Sequence, residues 1–324
     1  MKKFFKYLVF LVLAIIVIAT AGFIYLKTAL PNVGPAPELH VQLTPDNIKR
    51  GEYLVTSVAA CMECHSPRDW NRFTAPKYPD SIGAGGVKFG HEFGLPGSFY
   101  SPNITPYALS KYSDGELFKV ITTGETRYGK PLFPIMPYLT YGTLDKEDIY
   151  AIIAYLRTLK PVESKVPEAT RDFPVNILVN TMPQKAVFTK RPNEADSVAY
   201  GKYLVAFAGC ADCHTPQDDK GQPIPAKDFA GGNAFHMYTG GVVRTANITP
   251  DKGTGIGYWS KQQFITAIRK YDGISLPQID TNKYNTIMPY AAFSKMTDRD
   301  LSAVYVYLKT LKPVSNSVVK FAPN

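Results

Sequence analysis

Apolar positions fall along this chain in two patterns. Residues 7–26 form one uncharged, mostly apolar run, with Lys2, Lys3 and Lys6 before it and Lys27 after it. Twenty helical residues rise about 30 Å, roughly the hydrocarbon thickness of a bilayer. The run therefore predicts a transmembrane helix. The lysine cluster on its short side predicts that residues 28–324 face outward. A cleaved signal peptide is the alternative, with Ala19-Thr20-Ala21 as the small-residue site. The run continues through Phe23, Ile24 and Leu26, longer than a signal core, which favours a retained anchor. Both readings export the remainder.

Beyond the anchor the pattern changes to helical stripes separated by long loops. Ile149, Ile152, Ile153 and Leu156 recur at i, i+3, i+4, i+7, and so do Leu301, Val304, Tyr305 and Leu308. Asp145 and Thr297 are expected to cap these helices, which end before Pro161 and Pro313. Ser113-x-x-Glu116 and Ser260-x-x-Gln263 predict capping boxes for a middle helix. Thr44-Pro45 opens a helix that runs towards the first cysteines. The loops from His65 to Ser113 and from His214 to Ser260 are too long to pack without something rigid inside them, and a bound cofactor would serve.

The stripes belong to an internal repeat. Gly51-Glu52-Tyr53-Leu54-Val55 returns as Gly201-Lys202-Tyr203-Leu204-Val205, and Cys61-Met62-Glu63-Cys64-His65 as Cys210-Ala211-Asp212-Cys213-His214. Asn103-Ile104-Thr105-Pro106 matches Asn247-Ile248-Thr249-Pro250. Met136-Pro137-Tyr138 matches Met288-Pro289-Tyr290, and the Leu-Lys-Pro-Val ending at Val162 matches that ending at Val314. The offsets are 149 residues at the histidines and 152 at the methionines. One domain has been duplicated. The expected organisation is an anchor at 1–27, a linker at 28–43, domain 1 at 44–162, a linker at 163–193, domain 2 at 194–316 and a tail at 317–324.

Composition narrows the chemistry. Four cysteines in 324 residues are too few for a disulfide framework, and all four lie in the two Cys-x-x-Cys pairs. A net charge of +9 fits either a lysine-rich surface or steering of an acidic partner. Nucleic acid is excluded as a partner, because no basic run interleaves with aromatics. Cys-x-x-Cys-His is the attachment signature of c-type haem, covalently bound through two thioethers with the histidine as proximal ligand. Zinc would not call for a histidine directly after each pair, and the pairs are separated by 145 residues. A thioredoxin-type pair would need a βαβ context that is missing. The expected attachment residues are Cys61, Cys64, Cys210 and Cys213, with His65 and His214 on the two irons.

The opposite axial position separates electron transfer from catalysis. Met136 lies 71 residues after His65 and Met288 lies 74 after His214, each before a proline that favours an extended backbone. They are the methionines that match between the copies, and a soft sulfur suits the site. Met62, Met237 and Met296 have no counterpart, and Met182 lies in the linker, so these four are expected to be packing. His40, His91 and His236 are the competing histidines and are expected at the surface.

These residues resemble class I cytochrome c domains. The whole chain is similar to the cytochrome c subunits of membrane-bound alcohol, aldehyde and gluconate dehydrogenases. Cys-x-x-Cys-His, Asn-Ile-Thr-Pro, Met-Pro-Tyr and the closing Tyr-Leu-x-Thr-Leu-Lys-Pro-Val carry the likeness over about residues 45–314. Those subunits carry three haem domains, and this chain two. The resemblance implies an all-α fold of two tandem domains with long haem-wrapping loops. It also implies a crossing of first and last helices at Gly51 with Tyr155 and at Gly201 with Tyr307. The function expected is an electron relay without catalytic residues, with two haems buried near residues such as Ile135 and Ile287. Its partners would be a dehydrogenase or quinol-oxidising donor and a cytochrome or oxidase acceptor, on the periplasmic side of the inner membrane. The alternatives are a haem enzyme, such as a dihaem peroxidase or thiosulfate-oxidising cytochrome, and the dihaem subunit of a terminal oxidase. Paired Met-Pro-Tyr motifs disfavour the first, since an enzyme needs one displaceable ligand. Domain length disfavours the second.

Overall fold

The computed structural model describes residues 1–218 and 221–324. Helix α1 (Lys2–Thr28) is solvent-exposed along its length and is long and apolar enough to cross a membrane. Its last turn meets a short helix between the halves, where the Lys27 ammonium donates to the Asn176 carbonyl at 3.3 Å.

The first half runs α2 (Pro45–Tyr53), α3 (Cys61–His65), β1 (Lys88–Phe89), β2 (Gly97–Tyr100), α4 (Pro106–Leu109), α5 (Asp114–Thr123), α6 (Tyr138–Tyr141), α7 (Lys146–Thr158) and β3 (Thr170–Arg171). After α8 (Val175–Leu178), the second half repeats the order without a counterpart of α4. It comprises α9 (Ser197–Phe207), α10 (Cys210–His214), β4 (Ala234–His236), β5 (Val242–Arg244), α11 (Lys261–Arg269), α12 (Tyr290–Phe293), α13 (Asp298–Thr310) and β6 (Phe321–Ala322).

Helix starts are set by local chemistry. Side chains of Thr44, Asp145, Asp196 and Thr297 accept from the first free backbone N–H groups of α2, α7, α9 and α13. Ser113 with Glu116 and Ser260 with Gln263 form complete capping boxes on α5 and α11. In each half the first long helix crosses the last, α2 on α7 and α9 on α13. A Cβ at Gly51 would overlap the Ala151 carbonyl, and one at Gly201 the Ala303 carbonyl. Tyr155 and Tyr307 lie beside these glycines. Ile149, Ile152, Ile153 and Leu156 are buried there, as are Leu301, Val304 and Leu308, with Tyr305 half-buried.

The structure departs from the all-α expectation in one respect. Each half holds a three-stranded antiparallel sheet, in the order β1-β2-β3 or β4-β5-β6. Phe89 faces Phe99 and Ser98 faces Thr170 in one; Val243 lies between Phe235 and Phe321 in the other. Long loops must satisfy their backbone groups, and pairing does so without helical periodicity. The third strand comes from beyond the last helix, from stretches the sequence reading placed in the linker and the tail. Each packed unit therefore continues past the proline that closes its last helix.

The halves meet through reciprocal contacts, and buried side chains of both join one apolar cluster. The Tyr53 hydroxyl donates to Asp300 at 2.5 Å and accepts from the Thr297 N–H. Its counterpart Tyr203 donates to Asp148 at 2.7 Å and accepts from the Asp145 N–H. The symmetry is broken at Asp148, which also receives Arg50 and Arg191.

Candidate functional site

Each cysteine pair opens a one-turn helix. Ala60 (φ 50°) and Gly209 (φ 65°) take left-handed conformations that end the preceding helix and turn the chain into α3 and α10. Cysteines three apart on a helix lie on one face, and the histidine follows directly. The Cys61, Cys210 and Cys213 thiols are pushed up to about 12, and Cys64 is raised as well, with burial the main cause in each. Yet Cys64 is exposed and the other three are half-buried. Among the described residues no group of three or more His, Cys, Asp or Glu could hold a metal ion.

The histidines are held identically. His65 Nδ1 lies 2.8 Å from the Pro102 carbonyl oxygen, and His214 Nδ1 lies 2.7 Å from that of Ala246. A carbonyl can only accept, so the proton resides on Nδ1 and Nε2 keeps its lone pair. Burial holds both imidazoles below the ordinary histidine value, only partly offset by these hydrogen bonds, which keeps them neutral. Such a tied, neutral ring is the usual state of a metal-bound histidine.

The Asn-Ile-Thr-Pro motif places those carbonyls. Asn103 Nδ2 donates to the Val162 carbonyl at 2.7 Å and Asn247 Nδ2 to that of Val314 at 2.8 Å. The same asparagines accept through Oδ1 from the N–H and hydroxyl of Thr105 or Thr249. Each threonine hydroxyl then accepts from the Val162 or Val314 N–H at 3.2 Å. Two repeated motifs, Asn-Ile-Thr-Pro and Lys-Pro-Val, are thus one device that braces the segment behind the imidazole. Sequence reading saw both without joining them. It also missed Gly85 and Gly231, whose N–H groups donate to the His65 and His214 carbonyls at 2.8 and 2.7 Å. Their φ values of 73° and 70° suit glycine, and a Cβ would strike the backbone of residues 101–103 in one half and 245–246 in the other. Paired Ala-Gly-Gly stretches at 84–86 and 230–232 were the available signal.

Met136 and Met288 are half-buried against the core, each just ahead of a short helix, and each carbonyl accepts from the N–H two residues on at 2.8 Å. Met62, Met237 and Met296 are at most 6% exposed, as packing residues would be, and Met182 is half-buried. Ile135 and Ile287 are half-buried beside the two methionines. His40, His91 and His236 are exposed, and His91 Nε2 lies 2.7 Å from Asp172 Oδ2. The donor set suits a covalently attached porphyrin in each half: two thiols on one helical face, a neutral imidazole with a free Nε2, and a thioether.

The family described as Cytochrome c matches residues 198–312. The chain is 29% identical to the alcohol dehydrogenase (quinone) cytochrome c subunit of Gluconacetobacter polyoxogenes, over 85% of this chain and 58% of that subunit. It is 28% identical to the fructose dehydrogenase cytochrome subunit of Gluconobacter japonicus, over 84% of this chain and 54% of that protein. It thus spans little more than half the length of these relatives. A diheme cytochrome c-type protein of Cereibacter sphaeroides is 25% identical over 93% of this chain and 97% of its own length.

Proposed function

We propose that this chain, a cytochrome c over residues 198–312 and similar along most of its length to dehydrogenase cytochrome subunits, relays single electrons through one haem in each half. The doubled histidine carries the reading. In both halves a neutral imidazole follows a cysteine pair, with Nδ1 tied to a carbonyl and Nε2 bearing its lone pair. Cys61 and Cys64 would hold the first haem by thioethers, with His65 and Met136 as its axial ligands. Cys210, Cys213, His214 and Met288 would hold the second. Bound haem supplies reversible one-electron iron chemistry, and histidine–methionine ligation raises its potential. The remaining work falls to the chain: the braced carbonyls orient the imidazoles, the methionine loops present sulfur, and the apolar core excludes water. With a histidine and a methionine held to each iron, a substrate would find no open position, which favours relay over turnover.

Further support comes from lengths and likenesses. The match to nearly the whole of a diheme relative supports a count of two haems. Likeness to dehydrogenase cytochrome subunits supports a membrane dehydrogenase or quinol-oxidising protein as donor, with a cytochrome or oxidase as acceptor. Helix α1 supports a tether in the inner membrane, with both halves on the periplasmic side.

A pyridine haemochrome assay on the purified chain should count two c-type haems per polypeptide, and a lower count refutes the two-centre reading. Met288→Ala should remove the sulfur-to-iron charge-transfer band of one haem, and Met136→Ala that of the other. A variant that keeps both bands removes that methionine from the ligand set.

A further inference from the structure

The two methionine loops differ in what holds them. Met136 lies in a loop braced by its own half: the Leu132 N–H donates to the Gly124 carbonyl at 2.7 Å, and Arg171 donates to Pro131 at 3.0 Å. Met288 is held from across the interface. The Thr74 hydroxyl, in the first half's loop after His65, donates to the Met288 carbonyl at 2.6 Å. The Thr74 N–H donates to Asn285 Oδ1 at 2.9 Å, and Asn285 Nδ2 donates back to the Trp70 and Arg72 carbonyls at 3.2 Å. Asn285 Oδ1 also accepts from the Thr286 N–H, and the Thr286 hydroxyl accepts from the Met288 N–H at 3.0 Å. Both backbone groups of Met288 are thereby fixed, one of them by the other half. Among the described residues no hydrogen bond from the second half reaches Met136.

Two further observations separate this from ordinary interface packing. Thr74 and Asn285 are both fully buried, where an unmatched polar group costs about 1–3 kcal/mol, yet each is matched to a partner in the opposite half. Thr74 also adopts φ 55°, a left-handed conformation that β-branched residues rarely take. Such a conformation persists where surrounding contacts over-determine it. Here those contacts lead to the segment carrying a proposed ligand.

We propose that Thr74 is a positioning residue for Met288, so that the first half controls the axial sulfur of the second haem. The inference rests on the reading of Met288 as a ligand. The two centres, alike in sequence, then differ physically. The first holds its methionine autonomously, and the second holds it only while the halves are docked. Loosening the interface would release sulfur from one iron and leave the other low-spin, which couples the second haem's potential to the state of the first half.

Thr74→Val keeps the shape of the side chain and its β-branch but deletes the hydroxyl, whereas Thr74→Ser keeps the hydroxyl. In the full-length holoprotein, Thr74→Val should lose most of the charge-transfer band assigned to Met288 and lower one midpoint potential. The other haem's band and potential should not move, and Thr74→Ser should restore wild-type behaviour. Asn285→Ala should reproduce the valine phenotype, and amide hydrogens around 286–290 should exchange faster in both variants. Wild-type bands and potentials in Thr74→Val, alongside loss of one band in Met288→Ala, overturn this inference alone. Loss of both haem signatures together in Thr74→Val also overturns it, since the effect would then be general unfolding. Retention of both bands in Met288→Ala overturns the ligand reading and this inference with it.

Discussion

A histidine becomes a metal ligand through what its second nitrogen does. In both halves Nδ1 is tied to a carbonyl, and that carbonyl sits next to an asparagine pinned to the end of the last helix. The asparagine is therefore the residue to change without touching a ligand. Asn103→Ala strips the Val162 carbonyl of a donor and leaves the Thr105 N–H without a partner, while the Thr105 hydroxyl keeps the Val162 carbonyl at 3.5 Å. Since Asn103 is only 5% exposed, a loss of about 1–3 kcal/mol is expected. A lower midpoint in denaturant unfolding of the holoprotein, with haem still attached, would register it. The Cys-x-x-Cys-His residues were legible in the sequence because their chemistry depends on short spacing, and the Met-Pro-Tyr residues because the repeat matches them. The link from Asn103 to Val162 was not, since the partners lie 59 residues apart and nothing in the pattern of either demands the other.

At the scale of elements, caps and stripes foretold the helices well, because both are local. Thr44, Ser113, Asp145, Ser260 and Thr297 all cap the helices expected of them. The strands were invisible for the opposite reason. Strands of two to four residues carry no measurable alternation, and their pairing partners come from beyond the last helix. The helix crossing offers a sharp test. Gly51→Ala or Gly201→Ala would force a methyl group into a carbonyl of the facing helix, and neither backbone can retreat without losing its packing. Overpacking of this kind costs about 1–3 kcal/mol or more. Either variant should melt well below the wild type when followed by calorimetry, whereas Gly86→Ala, where a Cβ meets nothing, tests only the strain of its φ of 89°.

For the whole molecule, the reciprocal pairing of tyrosine and aspartate decides how the halves sit. The pairs look equivalent but are not. Asp148 keeps Arg50 and Arg191 when Tyr203 is lost, whereas among the described residues Tyr53 is the side chain that donates to Asp300. Tyr53→Phe should therefore cost about 1–3 kcal/mol and Tyr203→Phe less, a ranking that parallel urea titrations would check. Alkaline pH should act through the same groups. Burial first, then the neighbouring aspartate, raises the pKa of both phenols above the ordinary tyrosine value. An unfolded tyrosine gives up its proton at about pH 10, while the folded one retains it. Above that pH the unfolded chain binds fewer protons, so stability is intact below about pH 10 and falls as pH rises further. The double Phe variant should show a shallower alkaline decline.

The sequence by itself supplied the candidate chemistry and its repeat: paired cysteines with a following histidine, matched methionines, capped helices and an apolar amino-terminal segment. The cysteine–histidine motif, the caps and the apolar segment depend on residues near one another in the chain, and the methionines stood out because the repeat matches them. Tertiary structure decided the rest: which carbonyl fixes each imidazole, where the third strand of each sheet comes from, and that Thr74 grips the loop of Met288 in the opposite half. Those contacts join residues tens to hundreds of positions apart. Their energies come from burying matched polar groups, which no local period records.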